Sequence, residues 1–314
     1  MFCITEKNYI MPNTLVHICV QTPASRMILR DADFKWIALG CIIPDIPWIL
    51  QRIILYISPG IDLIDLRSYA VIQASLLFCL LFSLALSLFT TAPGRIFFLL
   101  ALNSFLHLIV DALEIKWSNG VHFFAPFSWQ AVHFPIVWPE HTLILVLSLL
   151  GIGVLIYCGT RDWKKPVTLT ISGKKWTTAG LLLCVYFLAP FLLFHGPGKA
   201  DSHYISTLQR TEDRPGKYIE FDRIRFRGSD RTIQALSGER LQLHGNIPAE
   251  NAQLSIRGRF LDEKNIRVTA FHVHGSSRDL ASIAGLAGVM LVWILAMAGK
   301  NVTFENTVSQ TENK

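Results

Sequence analysis

Several stretches of this chain are too apolar and too long for the core of a soluble domain: Ala70 to Phe89, Ile96 to Val110, Thr142 to Tyr157, Thr177 to Phe194 and Leu280 to Ala298. Each approaches or reaches the roughly 17–25 residues with which an α-helix crosses a bilayer core. Only 17% of the 314 residues are charged and 51% are hydrophobic, against roughly 25% charged in soluble domains. The expected fold class is therefore an α-helical integral membrane protein. Met1 to Arg30 lacks a basic region followed by an apolar core and a small-residue cleavage site, so a cleaved signal peptide is not expected.

One long polar segment interrupts this pattern. Tyr218 to Arg227 and Glu239 to Ile247 alternate apolar and polar residues, and Gln253 to Phe260 and Asn265 to His274 follow, separated by the turn Asp262-Glu263-Lys264-Asn265. That periodicity of two predicts short strands, and four or five of them make a small OB-like barrel or sandwich. The expected organisation is a helical membrane domain over 1–198, an inserted extracytoplasmic β domain over 199–278, a last transmembrane helix over 279–300 and a disordered tail over 301–314. Arg161-Asp162-Trp163-Lys164-Lys165, with Lys174-Lys175, is the densest basic cluster in a short loop, which the positive-inside rule assigns to the cytoplasm. Parity then puts the β domain on the extracytoplasmic side. Pro44 and Pro47 are expected to break the helix that starts near Phe34, and whether residues 34–57 cross or turn back stays open.

The net charge of +6 fits basic loops beside anionic lipid headgroups better than a nucleic-acid surface. Membrane lipids are the expected partners. The six cysteines are scattered, mostly within apolar runs, and support neither disulfides nor a cysteine metal site.

The chemistry is expected where ionisable residues interrupt apolar sequence. His107 and Asp111 are four apart on one helix, so their side chains stand one turn apart on the same face. His17, Asp45 beside the prolines, and His122 could complete a site. Two histidines and two acids, with a further histidine, suit Zn²⁺ or a similar divalent ion, which with an open coordination position activates water at neutral pH.

The order Met11-Pro12-Asn13 to His17, Leu39-Gly40 to Pro44-Asp45, His107 with Asp111, and Gly120 to Pro126-Phe127-Ser128 resembles the YdjM-like family of inner-membrane metal-dependent hydrolases, itself distantly similar to zinc-dependent phospholipase C. The likeness covers about residues 11–160. It implies phosphoester hydrolysis as the reaction; in a hydrolase of a lipid or phosphoester substrate, His17, Asp45, His107 and Asp111 are the expected metal ligands and His122 the residue that protonates or steadies the leaving group. The chain departs from the pattern at Pro47, where the family has a second acid, and at Leu66 to Ser75, where two family histidines are missing and Gln73 stands. A mononuclear site or a non-catalytic relative is what those departures imply.

Blander readings stand beside these. His107 with Asp111 could be a hydrogen-bonded pair between helices, and Asp45 could cap the helix after the break. Glu140, His133 and His141 belong to a loop rich in Trp and Phe that reads as an interfacial belt. His272 and His274 share a strand face and, with no third ligand in view, read as surface. The alternative to a hydrolase is a non-enzymatic membrane protein whose β domain binds a partner or an envelope polymer.

Overall fold

The computed structural model describes residues 13–58, 60–200 and 204–306. Met11 and Pro12 of the first motif, and residues 307–314 of the expected tail, lie outside them. The first two-thirds of the chain is helical: α1 (Thr14–Ile28), α2 (Phe34–Ile42), α3 (Ile46–Ile57), α4 (Leu63–Gln73), α5 (Leu76–Leu88), α6 (Pro93–Leu113), α7 (Thr142–Asp162) and α8 (Gly173–Leu192), with strand β1 (Val167–Ile171) before α8. Short helices α9 (His195–Ala200) and α10 (Ile205–Gln209) lead into strands β2 (Tyr218–Arg227), β3 (Thr232–Gln234), β4 (Arg240–His244), β5 (Ala252–Phe260) and β6 (Asn265–His274), followed by α11 (Ser277–Ala298) and β7 (Val302–Asn306).

Among the described residues, five helical segments are long and apolar enough to cross a membrane: Phe34–Ile57, Pro93–Leu113, Thr142–Asp162, Gly173–Gly198 and Arg278–Ala298. Two expectations change here. The Ala70 to Phe89 run is not one straight span, because α4 and α5 meet at 66°, with Ser75 starting α5 in extended conformation. Residues 34–57, by contrast, continue through both prolines. Ile43–Asp45 form one 3₁₀ turn, and Pro47 falls in the first turn of α3; there a missing N–H costs no helical hydrogen bond.

α1 is the polar helix at the centre. Asn13 caps it, with its side chain accepting from the Val16 N–H, and His17, Gln21, Thr22 and Ser25 are all buried. Close approach to its neighbours depends on glycines: a Cβ at Gly151 of α7 would lie 2.1 Å from the Leu15 carbonyl oxygen, and one at Gly285 of α11 would lie 2.9 Å from Thr14 Cβ. Small residues let helices pack backbone to backbone where water supplies no driving force.

The polar segment folds into a closed barrel in the order β2-β3-β4-β6-β5, with β4 and β6 parallel and the other neighbours antiparallel. The barrel, not the sandwich, is thus realised. Along β2 the inward residues Ile219, Phe221 and Phe226 alternate with outward ones and pack with Leu241, Leu243, Leu254, Ile256 and Ile266. The pairing of β2 with β5 shifts register between Phe221 and Ile224. Arg223 sits in that shift at φ 50°.

The tail differs from expectation, since Val302–Asn306 pairs in parallel with Val167–Ile171. This small sheet lies at the end of the helices where Arg95 pairs with Asp31 and where Arg26, Lys165 and the Phe34 N–H all reach Asp162. The barrel sits at the opposite end. Ser118 donates its backbone N–H to Glu220, and Asn119 donates to Asp222.

Candidate metal centre and cleft

At the barrel end of α6, three of the expected residues converge. His107 is fully buried and points inward, its Nδ1 2.6 Å from the Cys41 carbonyl oxygen. A carbonyl only accepts, so Nδ1 carries a proton, and in the neutral ring Nε2 is left with the lone pair. His17 stacks on it, ring centroids 3.8 Å apart and 6° from parallel. In the amide orientation that satisfies its neighbours, Gln21 accepts from His17 Nδ1 at 3.2 Å and donates to the Asn103 carbonyl at 2.9 Å. The His17 Nε2 is thereby also turned outward as an acceptor.

Asp111 lies between them. Its Oδ1 is 3.5 Å from His17 Nε2 and its Oδ2 is 3.7 Å from His107 Nε2. Asp45 approaches from α2–α3, its Oδ1 3.4 Å from His107 Nε2. It makes no capping hydrogen bond with α3, so the capping reading does not describe it. Among the described residues, His107 Nε2, Asp45 Oδ1 and Asp111 Oδ1 are buried without a hydrogen-bond partner. Buried polar atoms are rarely left so.

The separations themselves are informative. At 3.4–3.7 Å these contacts are too long for imidazole–carboxylate hydrogen bonds, which close to about 2.7–3.2 Å. Two ligands bonded tetrahedrally to one ion at 2.0–2.2 Å stand about 3.3–3.6 Å apart. The donor atoms of His17, His107 and Asp111 all lie within 4.8 Å of one another, a grouping that could hold a metal ion. Asp45 reaches this group only through His107. Outside the cluster, Lys116 Nζ stands 3.3 Å from Asp111 Oδ1 and 3.2 Å from Glu114 Oε2.

His122 does not touch these four. It lies in the loop after α6, with Nδ1 2.8 Å from the Trp129 carbonyl oxygen, and lines the same cleft as Asp111. Burial, with a smaller push from the Arg67 charge, lowers its pKa below the usual imidazole range, against the pull of the Trp129 carbonyl. At neutral pH it is thus an uncharged acceptor, suited to steadying a group or taking a proton rather than to protonating a leaving group. Gln73 also lies apart: it bridges Tyr69 and the Tyr186 carbonyl, joining α4 to α8.

The cleft holds about 130 Å³. Four cationic side chains, Arg52, Arg67, Lys116 and Arg278, and two carboxylates, Asp111 and Asp222, line it among apolar walls that include Trp48, Val71, Leu108 and Leu236. Asp222 and Leu236 come from the barrel segment, which therefore closes one side.

A second grouping of possible metal donors was missed in sequence: Glu140, His272 and His274. The third partner of the two strand histidines comes from 132 residues away. Here the atoms already satisfy one another. Glu140 Oε1 accepts from His274 Nδ1 at 2.8 Å and Arg223 Nη2 at 2.9 Å, and Oε2 lies 3.1 Å from His272 Nε2. With a guanidinium on the same carboxylate, this cluster works as a clasp between loop and barrel; a cation added there would meet positive charge.

Compared with family models, with curated proteins and with solved structures, the chain matches none. The geometry must carry the functional reading.

Proposed function

We propose that the protein is a membrane-embedded metal-dependent hydrolase of a bacterial inner membrane, acting on a phosphoester or lipid-linked substrate near the extracytoplasmic face. The observation that carries this reading is the spacing of donor atoms on His17, His107 and Asp111, too long for hydrogen bonds and fit for ligands of a shared ion, with Asp45 beside His107. Imidazole and carboxylate donors around a position open to a cleft fit Zn²⁺. Such an ion supplies Lewis-acid activation of water at neutral pH. The chain's own residues do the rest. Cys41 and Gln21 hold the imidazoles in the ligating tautomer, Lys116 holds Asp111, and His122 accepts or relays a proton across the cleft. The motif resemblance over residues 11–160 supports the same assignment. Orientation follows from charge: the basic loops collect at the end away from the barrel, and the positive-inside rule prefers that end in the cytoplasm.

The test is elemental analysis of the detergent-purified protein. Wild type is expected to retain about one equivalent of zinc, and the His107→Ala, Asp111→Ala double variant to lose it while keeping its helical circular dichroism. Equal zinc in both, or none in either, sinks the hydrolase and leaves the non-enzymatic alternative.

A further inference from the structure

Among the cations of the cleft, Lys116 and Arg67 are occupied. Lys116 pairs with Asp111 and Glu114; Arg67 bonds Asn119 and lies over the Trp48 and Tyr204 rings. Arg52 and Arg278 differ. Arg278 is wholly buried and gives only Nη2 to Glu114, at 2.7 Å, while its Nε and Nη1 have no acceptor. Arg52 Nε and Nη2 are likewise buried without a partner, and among the described residues no carboxylate lies within salt-bridge distance of it. Both guanidinium groups line the same cleft. Four buried guanidinium nitrogens without an acceptor cost free energy that an oxyanion reaching them would recover.

The carboxylates nearby do not fill that role: Asp279 and Asp45 attract Arg52 through their charge, yet among the described residues neither forms a salt bridge with it. Asp222 accepts from Asn119 at 3.0 Å and Ser255 at 2.6 Å, and Asp111 is held by Lys116. Both arginines also stand at the barrel-side ends of candidate spans, Arg52 in Phe34–Ile57 and Arg278 at the start of Arg278–Ala298. That is the level where a lipid places its headgroup, and Trp48, Val71 and Leu108 offer apolar walls beside it.

We propose that Arg52 and Arg278 form an oxyanion subsite that holds the phosphate headgroup of an amphiphile whose apolar portion lies along the Trp48, Val71 and Leu108 wall. This deepens the hydrolase reading by naming what recognises the substrate, yet it rests on side chains that are not metal ligands.

The experiment is calorimetric titration of the full-length protein in neutral detergent with hexyl phosphate and with inorganic phosphate, each with and without chelator. Hexyl phosphate is expected to bind at least ~10-fold more tightly than inorganic phosphate, and Arg52→Gln to weaken it at least ~10-fold. Arg278→Lys, which keeps the charge and loses the fork, is expected to weaken it as well. The chelated wild type and the His107→Ala, Asp111→Ala variant should still bind. Unchanged affinity in Arg52→Gln overturns the subsite, and so does loss of binding on chelation alone, because the anion would then be held by the ion. Equal affinity for inorganic phosphate overturns the amphiphile. If Arg278→Lys does not fold, Arg52→Gln and Arg52→Lys carry the comparison. Retained zinc in the double variant together with lost binding in Arg52→Gln removes the hydrolase and leaves the subsite standing.

Discussion

Gln21 determines how His17 is presented. Its amide oxygen receives the His17 Nδ1 proton while its nitrogen is anchored on Asn103, so the imidazole is held with Nε2 toward Asp111. Outer partners of this kind fix tautomer and ring direction, and replacing one typically costs ~10–100-fold in metal affinity. Gln21→Leu conserves volume and removes both bonds. Competition with a zinc chelator should therefore show zinc affinity reduced by ~10–100-fold with helix content unchanged; unaltered affinity would mean that Gln21 serves packing alone. The candidate residues were legible in sequence: His107 and Asp111 sit a turn apart in an apolar helix, the motif drew in His17 and Asp45, and the structure brings His17 and Asp45 within 3.5 Å of Asp111 and His107 respectively. Gln21 was not, because a glutamine four residues after a histidine means little until the fold brings Asn103 beside it.

Helix α1 shows why elements were harder to read than residues. It is buried at the centre of the helical domain, yet its core-facing positions include Thr14, His17, Gln21, Thr22 and Ser25, so neither hydropathy nor apolar periodicity marks it. What marks it is the pair of glycines that admit it. Gly151→Ala would place a methyl group against the Leu15 carbonyl and push α1, with His17 two residues on, away from α7. Overpacking of this kind costs about 1–3 kcal/mol. Thermal unfolding in detergent should fall and zinc affinity should fall with it, whereas Gly153→Ala, with nothing within 4 Å, should change neither. A Gly151→Ala protein as stable as wild type would refute the tight α1–α7 seam. The strands, in contrast, were visible nearly to the residue because alternation survives in one dimension; the short β3 and the β1–β7 pair were not, since five residues pairing across a separation of 135 leave no local signal. The continuity of residues 34–57 was misjudged for a related reason: a proline reads as a breaker unless the preceding turn can tighten to 3₁₀ and absorb it.

At the scale of the whole molecule, the question is what keeps the barrel seated over the cleft. The Glu140 clasp is the most charged of its attachments, joined by Ser118 to Glu220 and by Arg257 over Trp117 at 4.5 Å. Burial alone would raise the Glu140 carboxyl, but the His274 bond and charge, the Arg223 charge and the His272 bond outweigh it and hold the group down at about 2. Its partners are shifted by burial against the pull of Glu140: burial lowers the Arg223 pKa to about 10, and burial lowers that of His274. A carboxylate whose folded pKa is depressed contributes stability that is complete above its ordinary value of 4.5 and is lost as pH falls toward the folded value. Docking of the barrel should thus weaken on the acid side, between about pH 4.5 and 2. Unfolding temperature in neutral detergent, followed from pH 7 downward, is expected to drop through that window in wild type. Glu140→Gln should unfold at lower temperature at pH 7 and lose part of that drop, because a neutral amide cannot be titrated and leaves Arg223 without its charge. Two curves that run parallel down to the acid limit would show that the clasp does not hold the barrel, and closure of the cleft would then have to rest on the Ser118–Glu220, Asn119–Asp222 and Arg257–Trp117 contacts.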